Sequence, residues 1–384
     1  MNIKRVAELD GLRGIAISLV LLWHYLGGPL NLELTSHRAF TLLELGGSGV
    51  DLFFVLSGFL LGGILIDNKD SINMFRVFYI RRCCRIFPLY YLWILIFVVI
   101  VYCIKEVAYE FPYILLFDIK FNHTISLTHY LTFTQNFIMA LNHDWASQWF
   151  GMTWSLAVEE QFYLVLPLII YFTSARILPF LLLFLIVLAP VLRTFLFYQL
   201  SPANGIYWGF FLMPCRCDSL LLGVLCALAL RNNGFKDFVH RKILAVYAMV
   251  MILFGMIFSI GFNGLSGFTA EMTWYGYSLL ALFYSCVLII AVTEKRGLIT
   301  AIVRNQWLGK LGVISYGVYI FHQGVQFLVH AWFFHDEPQI TGIPTALASI
   351  FALFLTFLLA WVSWTYFEKP IVNFGHDLVY KKRQ

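Results

Sequence analysis

The feature that most constrains this chain is its succession of uncharged, apolar runs of about eighteen residues or more. A run of that length crosses the hydrocarbon of a bilayer as a helix rising 1.5 Å per residue. A barrel strand would need only about 9–11 residues and would alternate in polarity. Composition agrees: 60% of the residues are hydrophobic and 12% are charged, against about 25% charged in soluble domains. The expected fold is all-α, a polytopic integral membrane protein of ten transmembrane helices. The spans fall at about 12–30, 48–66, 86–104, 154–173, 178–197, 210–230, 243–261, 276–293, 312–332 and 344–366. No uninterrupted polar segment exceeds about 25 residues, well below the roughly 50 of a small domain, so one transmembrane domain is expected over 1–384, with no separate soluble domain. The basic start and first apolar run lack a small-residue cleavage site and read as a retained span.

An even number of spans puts both termini on one side. Twenty-one of the 26 Lys and Arg residues fall on that side; only 38, 105, 120, 193 and 216 fall on the other. The positive-inside rule then predicts cytoplasmic termini. The net charge of +5 follows loop topology and does not point to nucleic acid. The seven cysteines lack paired CxxC or Cys/His spacing and read as small hydrophobes, so no metal is expected. The longest polar connection, 105–153, contains Tyr130–Met139, too short to cross and expected to be a re-entrant or interfacial helix.

Against this apolar background the polar residues stand out. The first span reads Leu-Asp10-Gly-Leu-Arg13-Gly, with His24 eleven positions after the arginine. On an ideal helix that is about 16 Å along one face, with Asp10 within about 40° of it. An intramembrane imidazole is a functional candidate by default, its alternative being packing glue. Asp51 opens the second span, as a helix cap or as a functional group. Arg81, Arg82 and Arg85 precede Pro88, expected to open a helix whose N-terminus and guanidinium forks suit an anion; the alternative is ordinary loop topology. The fourth span carries Trp154, Glu159, Glu160 and Tyr163, its carboxylates roughly 8–9 Å deep. Arg216 and Asp218 lie in the sixth span, and Arg216 is the natural cation for those glutamates. His322, in the ninth, should share the depth of His24, as a second base, a substrate contact or a core residue. Glu368 ends the last span, expected near Arg13.

Together these motifs resemble one family. LDGLRG with Arg-x10-His, GVDLFFVLSGFLL, RRCCRIFPLY, TWSLAVEEQFYL, RCDSLLLG, SYGVYIFH and FEKP look like the acyltransferase-3 membrane O-acyltransferases, in the family's order over nearly the whole chain. One departure is Gln323-Gly324, where family members often have proline. The resemblance implies transfer of an acyl group, usually acetyl from acetyl-CoA, to a hydroxyl of a surface glycan or lipid-linked sugar. It makes His24 the candidate base with Arg13 its partner, and places Arg82 and Arg85 on the donor side. Glu159, Glu160 and Tyr163 then match the acidic motif near the reaction centre.

The mechanism expected is general-base catalysis by His24, oriented by Glu159 or Glu160, with direct transfer from acyl-CoA. Arg13, Arg81, Arg82 and Arg85 would hold the cofactor. Asp10, Asp51, Tyr163, Arg216, Asp218 and His322 would contact substrate or support the site. Assembly as a homo-oligomer is left open. The rival reading is a proton-coupled transporter or flippase using the His/Glu network, but the inverted repeats common in such folds are not evident.

Overall fold

The computed structural model describes residues 7–30, 43–107, 125–145, 147, 149–261 and 269–382. Among these the chain is helical, with two isolated bridges and no strand. It divides into two compact units, the first of Met1–Trp23, His37–Lys69 and Val158–Ser315, the second of His24–Ser36, Asp70–Ala157 and Tyr316–Gln384. In chain order the helices are α1 (Ala7–Leu22), α2 (Gly49–Asp67), α3 (Met74–Val107), α4 (Leu127–Leu131), α5 (Gln135–Asn142), α6 (Thr153–Phe172), α7 (Leu178–Gln199) and α8 (Pro202–Phe211). They continue with α9 (Met213–Ala229), α10 (Asn233–Arg241), α11 (Ile243–Gly261), α12 (Tyr277–Thr293), α13 (Leu298–Val303), α14 (Gln306–Phe334), α15 (Ile343–Val362) and α16 (Lys369–His376).

Nine helical stretches among the described residues are long and apolar enough to cross a membrane, matching nine of the ten expected spans. The tenth expectation, 312–332, lies within the 29-residue α14. That helix is long enough, but Ser315, His322, Gln326 and His330 are all buried along it and lower its apolarity. This is a polytopic all-α membrane protein.

Two local expectations are corrected. Pro88 does not open a helix: α3 starts at Met74 and carries Pro88 inside it. The three arginines therefore sit on turns inside α3, and Pro88 offers no helix N-terminus beside them. A buried apolar helix outweighs the one backbone bond a proline removes, and the Tyr316 hydroxyl donates to the Ile86 carbonyl (2.7 Å) in the turn before it. Tyr130–Met139 is not one helix but parts of α4 and α5, broken where Phe133 takes φ 53°. Residues 108–124 of that connection lie outside the described residues, as do Lys4, Arg5, Arg38, Lys120 and Arg383 from the charge count.

In the first unit, α2 crosses α9 at glycines. A Cβ on Gly58 would stand 1.8 Å from the Leu220 carbonyl oxygen, and one on Gly223 would stand 2.1 Å from that of Val55. Small residues let membrane helices approach closely where water supplies no hydrophobic drive. Gly14 against Leu308, and Gly312 against Asp10, do the same for α1 and the start of α14.

Two buried ion pairs lie alongside that crossing. Arg216 donates to Asp51 (2.8 Å), whose same oxygen accepts from Ser219 (3.2 Å), and the guanidinium lies 3.7 Å from the centroid of the Tyr277 ring. Arg193 donates to Asp218 (3.0 Å), Ser278 Oγ (2.7 Å), the Thr273 carbonyl (2.9 Å) and the Cys215 carbonyl, while Ser278 donates to Asp218 (2.6 Å). Each cation is matched by one anion. Arg193 and Arg216, which the topology count assigned to the side opposite the termini, are each held in a buried ion pair between helices. At the end of α2, Asp67 receives two 2.7 Å bonds from Arg231.

In the second unit, Trp93 and Trp149 stack at 4.1 Å. Gln323 and Gly324 serve this packing: Gln323 Oε1 accepts from the Met152 N–H (3.0 Å), and a Cβ on Gly324 would strike Trp93 at 2.5 Å. Burial raises the Tyr130 hydroxyl above the usual phenol range, with Asp144 adding to it.

Two substitutions report on the first unit. Gly58→Leu should lose about 1–3 kcal/mol or more by overpacking. Asp218→Asn should cost about 3–5 kcal/mol by leaving Arg193 charged without its anion. Thermal unfolding in detergent, followed by circular dichroism, reads both; unchanged midpoints would contradict the packing described.

Candidate functional site

His24 occupies a widened, π-helical turn, Trp23–Gly27, that ends α1. The constant 100° step therefore stops at Leu22. Such turns shift side chains out of α-helical phase and recur at functional sites. His24 is half-buried and meets the fully buried His322 ring at 77°, with centroids 4.7 Å apart. The next residue, Tyr25, donates its hydroxyl to the His322 carbonyl (3.1 Å) and pairs with Thr356 (2.9 Å). Tyr319, one turn before His322, pairs with Ser155 (2.5 Å) and donates to the Met152 carbonyl (2.9 Å). The two sequence-predicted histidines are thus neighbours in the second unit.

The same unit holds the arginines of α3. Arg85 lies over the rings of Tyr316 (5.4 Å) and Trp364 (5.2 Å), 3.6 Å from the Glu368 carboxylate. Glu368 lies in a second π-helical turn, Ser363–Glu368, and accepts from Ser363 (3.0 Å). The partner shown for Glu368 is thus Arg85, where the sequence suggested the neighbourhood of Arg13. Arg82 is half-buried on the same helix. Arg81 is engaged by the C-terminal segment. It donates to the carbonyls of Leu378 (2.6 Å) and His376 (3.3 Å), and it lies over the Tyr380 ring. Burial raises the Tyr380 hydroxyl, against the lowering influence of Arg81 and Arg82.

The remaining candidates belong to the first unit. Arg13 donates to Asp10 (2.9 Å), one helical turn away. Glu159 accepts from Ser57 (2.8 Å), which in turn accepts from the Tyr163 hydroxyl (3.1 Å), so the acidic motif is tied to α2. Glu160, beside it on α6, is half-buried. Asp51, Arg216 and Asp218 make up the buried ion pairs described above. The cation the sequence assigned to the glutamates, Arg216, is bonded to Asp51.

Sequence reasoning missed Arg193, the partner of Asp218. Its signal was available: an arginine inside the apolar run 178–197 is costly unless it is paired. It also missed Ser57 as a hydrogen-bonding link between Glu159 and Tyr163. Among the described residues no group of three His, Cys, Asp or Glu side chains could hold a metal ion.

Chemically, the second unit combines paired imidazoles, able to accept and pass a proton, with guanidiniums suited to phosphate oxygens. Comparison with known proteins bears on this. The peptidoglycan O-acetyltransferase OatA of Listeria monocytogenes is 27% identical over 97% of this chain and 56% of its own length. A Bacillus subtilis protein named as a candidate peptidoglycan O-acetyltransferase, YrhL, is 28% identical over 97% and 56%. A candidate O-acetyltransferase of Staphylococcus aureus is 26% identical over 97% and 58%. The chain thus spans a little over half the length of these relatives. No solved structure matches. The family described as an acyltransferase domain matches residues 6–365, nearly the whole chain, and the protein belongs to this acyltransferase-3 family.

Proposed function

We propose that the protein is a membrane O-acetyltransferase that moves an acetyl group from cytoplasmic acetyl-CoA to a hydroxyl of a cell-surface glycan, such as peptidoglycan or a lipid-linked precursor. The observation that carries this reading is His24, an imidazole in a distorted helical turn, in the same compact unit as Arg82 and Arg85. Family membership and the names of the relatives supply the reaction class. The lysine and arginine distribution supports cytoplasmic termini in a bacterial cytoplasmic membrane.

A sugar hydroxyl is a poor nucleophile at neutral pH. His24 takes its proton as the oxygen attacks the thioester carbonyl, giving a tetrahedral oxyanion. Collapse breaks the C–S bond, and the proton passes from His24 to the leaving thiolate. The products are the acetyl ester and free CoA, and no acyl-enzyme is needed. A positioned base supplies about 10²–10⁴-fold, so the rest must come from holding donor and acceptor together. Arg82 and Arg85 are the proposed phosphate ligands, since Arg81 is occupied by the C-terminal carbonyls. Glu159, Glu160 and Tyr163 are assigned to the reaction centre by motif, and Arg13 and Asp10 to support of the first span.

Purified protein in vesicles with radiolabelled acetyl-CoA and glycan acceptor tests the reading. His24→Ala should stay folded and lose transfer by at least about 10²-fold; wild-type transfer by that variant would refute the assignment. Arg85→Ala should raise the KM for acetyl-CoA about tenfold or more, since a charge-assisted hydrogen bond contributes about 1.5–3 kcal/mol. An unchanged donor KM would remove Arg85 from the donor site.

A further inference from the structure

His322 is held from two directions. Its backbone carbonyl accepts from Tyr25, and its ring Nδ1 lies 2.7 Å from the carbonyl oxygen of Tyr319. A carbonyl can only accept, so Nδ1 carries the hydrogen. In the neutral ring the lone pair then sits on Nε2. That nitrogen is buried and has no hydrogen-bond partner among the described residues. Buried polar atoms are nearly always paired, and an orphan in a folded protein calls for an explanation in its working state. The His322 ring lies against that of His24, with centroids 4.7 Å apart. Two imidazoles joined by an N–H···N bond have centroids roughly 5 Å apart, from an N···N distance of about 2.9 Å and two ring radii.

We infer that His322 is a positioning residue for His24: through Nε2 it accepts a hydrogen bond from the ring N–H that His24 does not use on the substrate, its own tautomer being set by the Tyr319 carbonyl. This rests on His24 acting as the base. When His24 takes the acceptor proton, both of its nitrogens carry hydrogen. One faces the substrate and later returns the proton to sulfur; the other needs an acceptor. His322 Nε2 provides it without changing its own protonation, so the proton count of the reaction is unaltered. The acceptor is neutral, where many histidine bases have a carboxylate. It fixes which nitrogen of His24 faces the substrate.

The test compares His322→Gln, His322→Asn and His322→Phe with wild type in the vesicle assay, alongside nitrogen-15 NMR of histidine-labelled protein. The oxygen of Gln can reach the place of Nε2, whereas that of Asn lies nearer the place of Nδ1. His322→Phe and His322→Asn should lower kcat about 10²-fold, with the KM values for acetyl-CoA and glycan within about twofold of wild type. His322→Gln should recover to within about tenfold of wild type. The spectrum should show His322 protonated at Nδ1 and bare at Nε2, a readout that does not depend on any variant folding. Equal losses in all three variants, a loss confined to KM, or a proton on Nε2 in the resting protein overturns the inference. If His24→Ala abolishes transfer while His322→Phe leaves kcat intact, this inference fails and the base assignment stands. If His24→Ala is active, the proposed function itself fails.

Discussion

In hydrocarbon, a charge is paired inside the protein or not at all, and the first unit is built under that constraint. Asp51, Arg216, Arg193 and Asp218 are all buried, and each has an opposite charge at hydrogen-bonding distance. The guanidinium of Arg193 also satisfies carbonyls at Thr273 and Cys215, so its hydrogens are spread over several elements. Such a pair need not add net stability over an apolar substitute, but removing half of it leaves a charge with nowhere to go. The pairing also lies along the close helix crossing. Ser219, one turn from Gly223 on α9, bonds Asp51 on α2, whose Gly58 touches α9.

In the second unit several buried polar atoms have no hydrogen-bond partner among the described residues, His322 Nε2 and Gln326 Nε2 among them. Two of its candidate groups, His24 and Glu368, lie in widened helical turns. A widened turn gives up regular backbone bonding to set a side chain at an angle the α-helix does not offer.

Membership of the acyltransferase-3 family accounts for why these polar groups occur in this order along an apolar chain. The relatives are longer proteins, and this chain covers a little over half of each. The acceptor is read by contacts at the reacting hydroxyl, and those depend on side chains that a family pattern leaves open.

Much of the architecture was legible in the sequence because the bilayer imposes a length and an apolarity on every span. Nine spans fall where the apolar runs put them, and the histidines, arginines and glutamates announced themselves by their cost in such surroundings. The reading failed where local rules met tertiary packing. Pro88 read as a helix start but lies within α3, because burial of the long helix outweighs one missing bond. Arg193 read as an outer charge until Asp218 was found beside it, 25 positions away. By itself the sequence determined which segments must be helical and which residues are too expensive to be idle. Only the tertiary structure decided who pairs with whom: Arg216 with Asp51, Glu159 with Ser57, His24 with His322. Such partners come from different helices, and helix periodicity fixes the face of a side chain without naming what lies opposite.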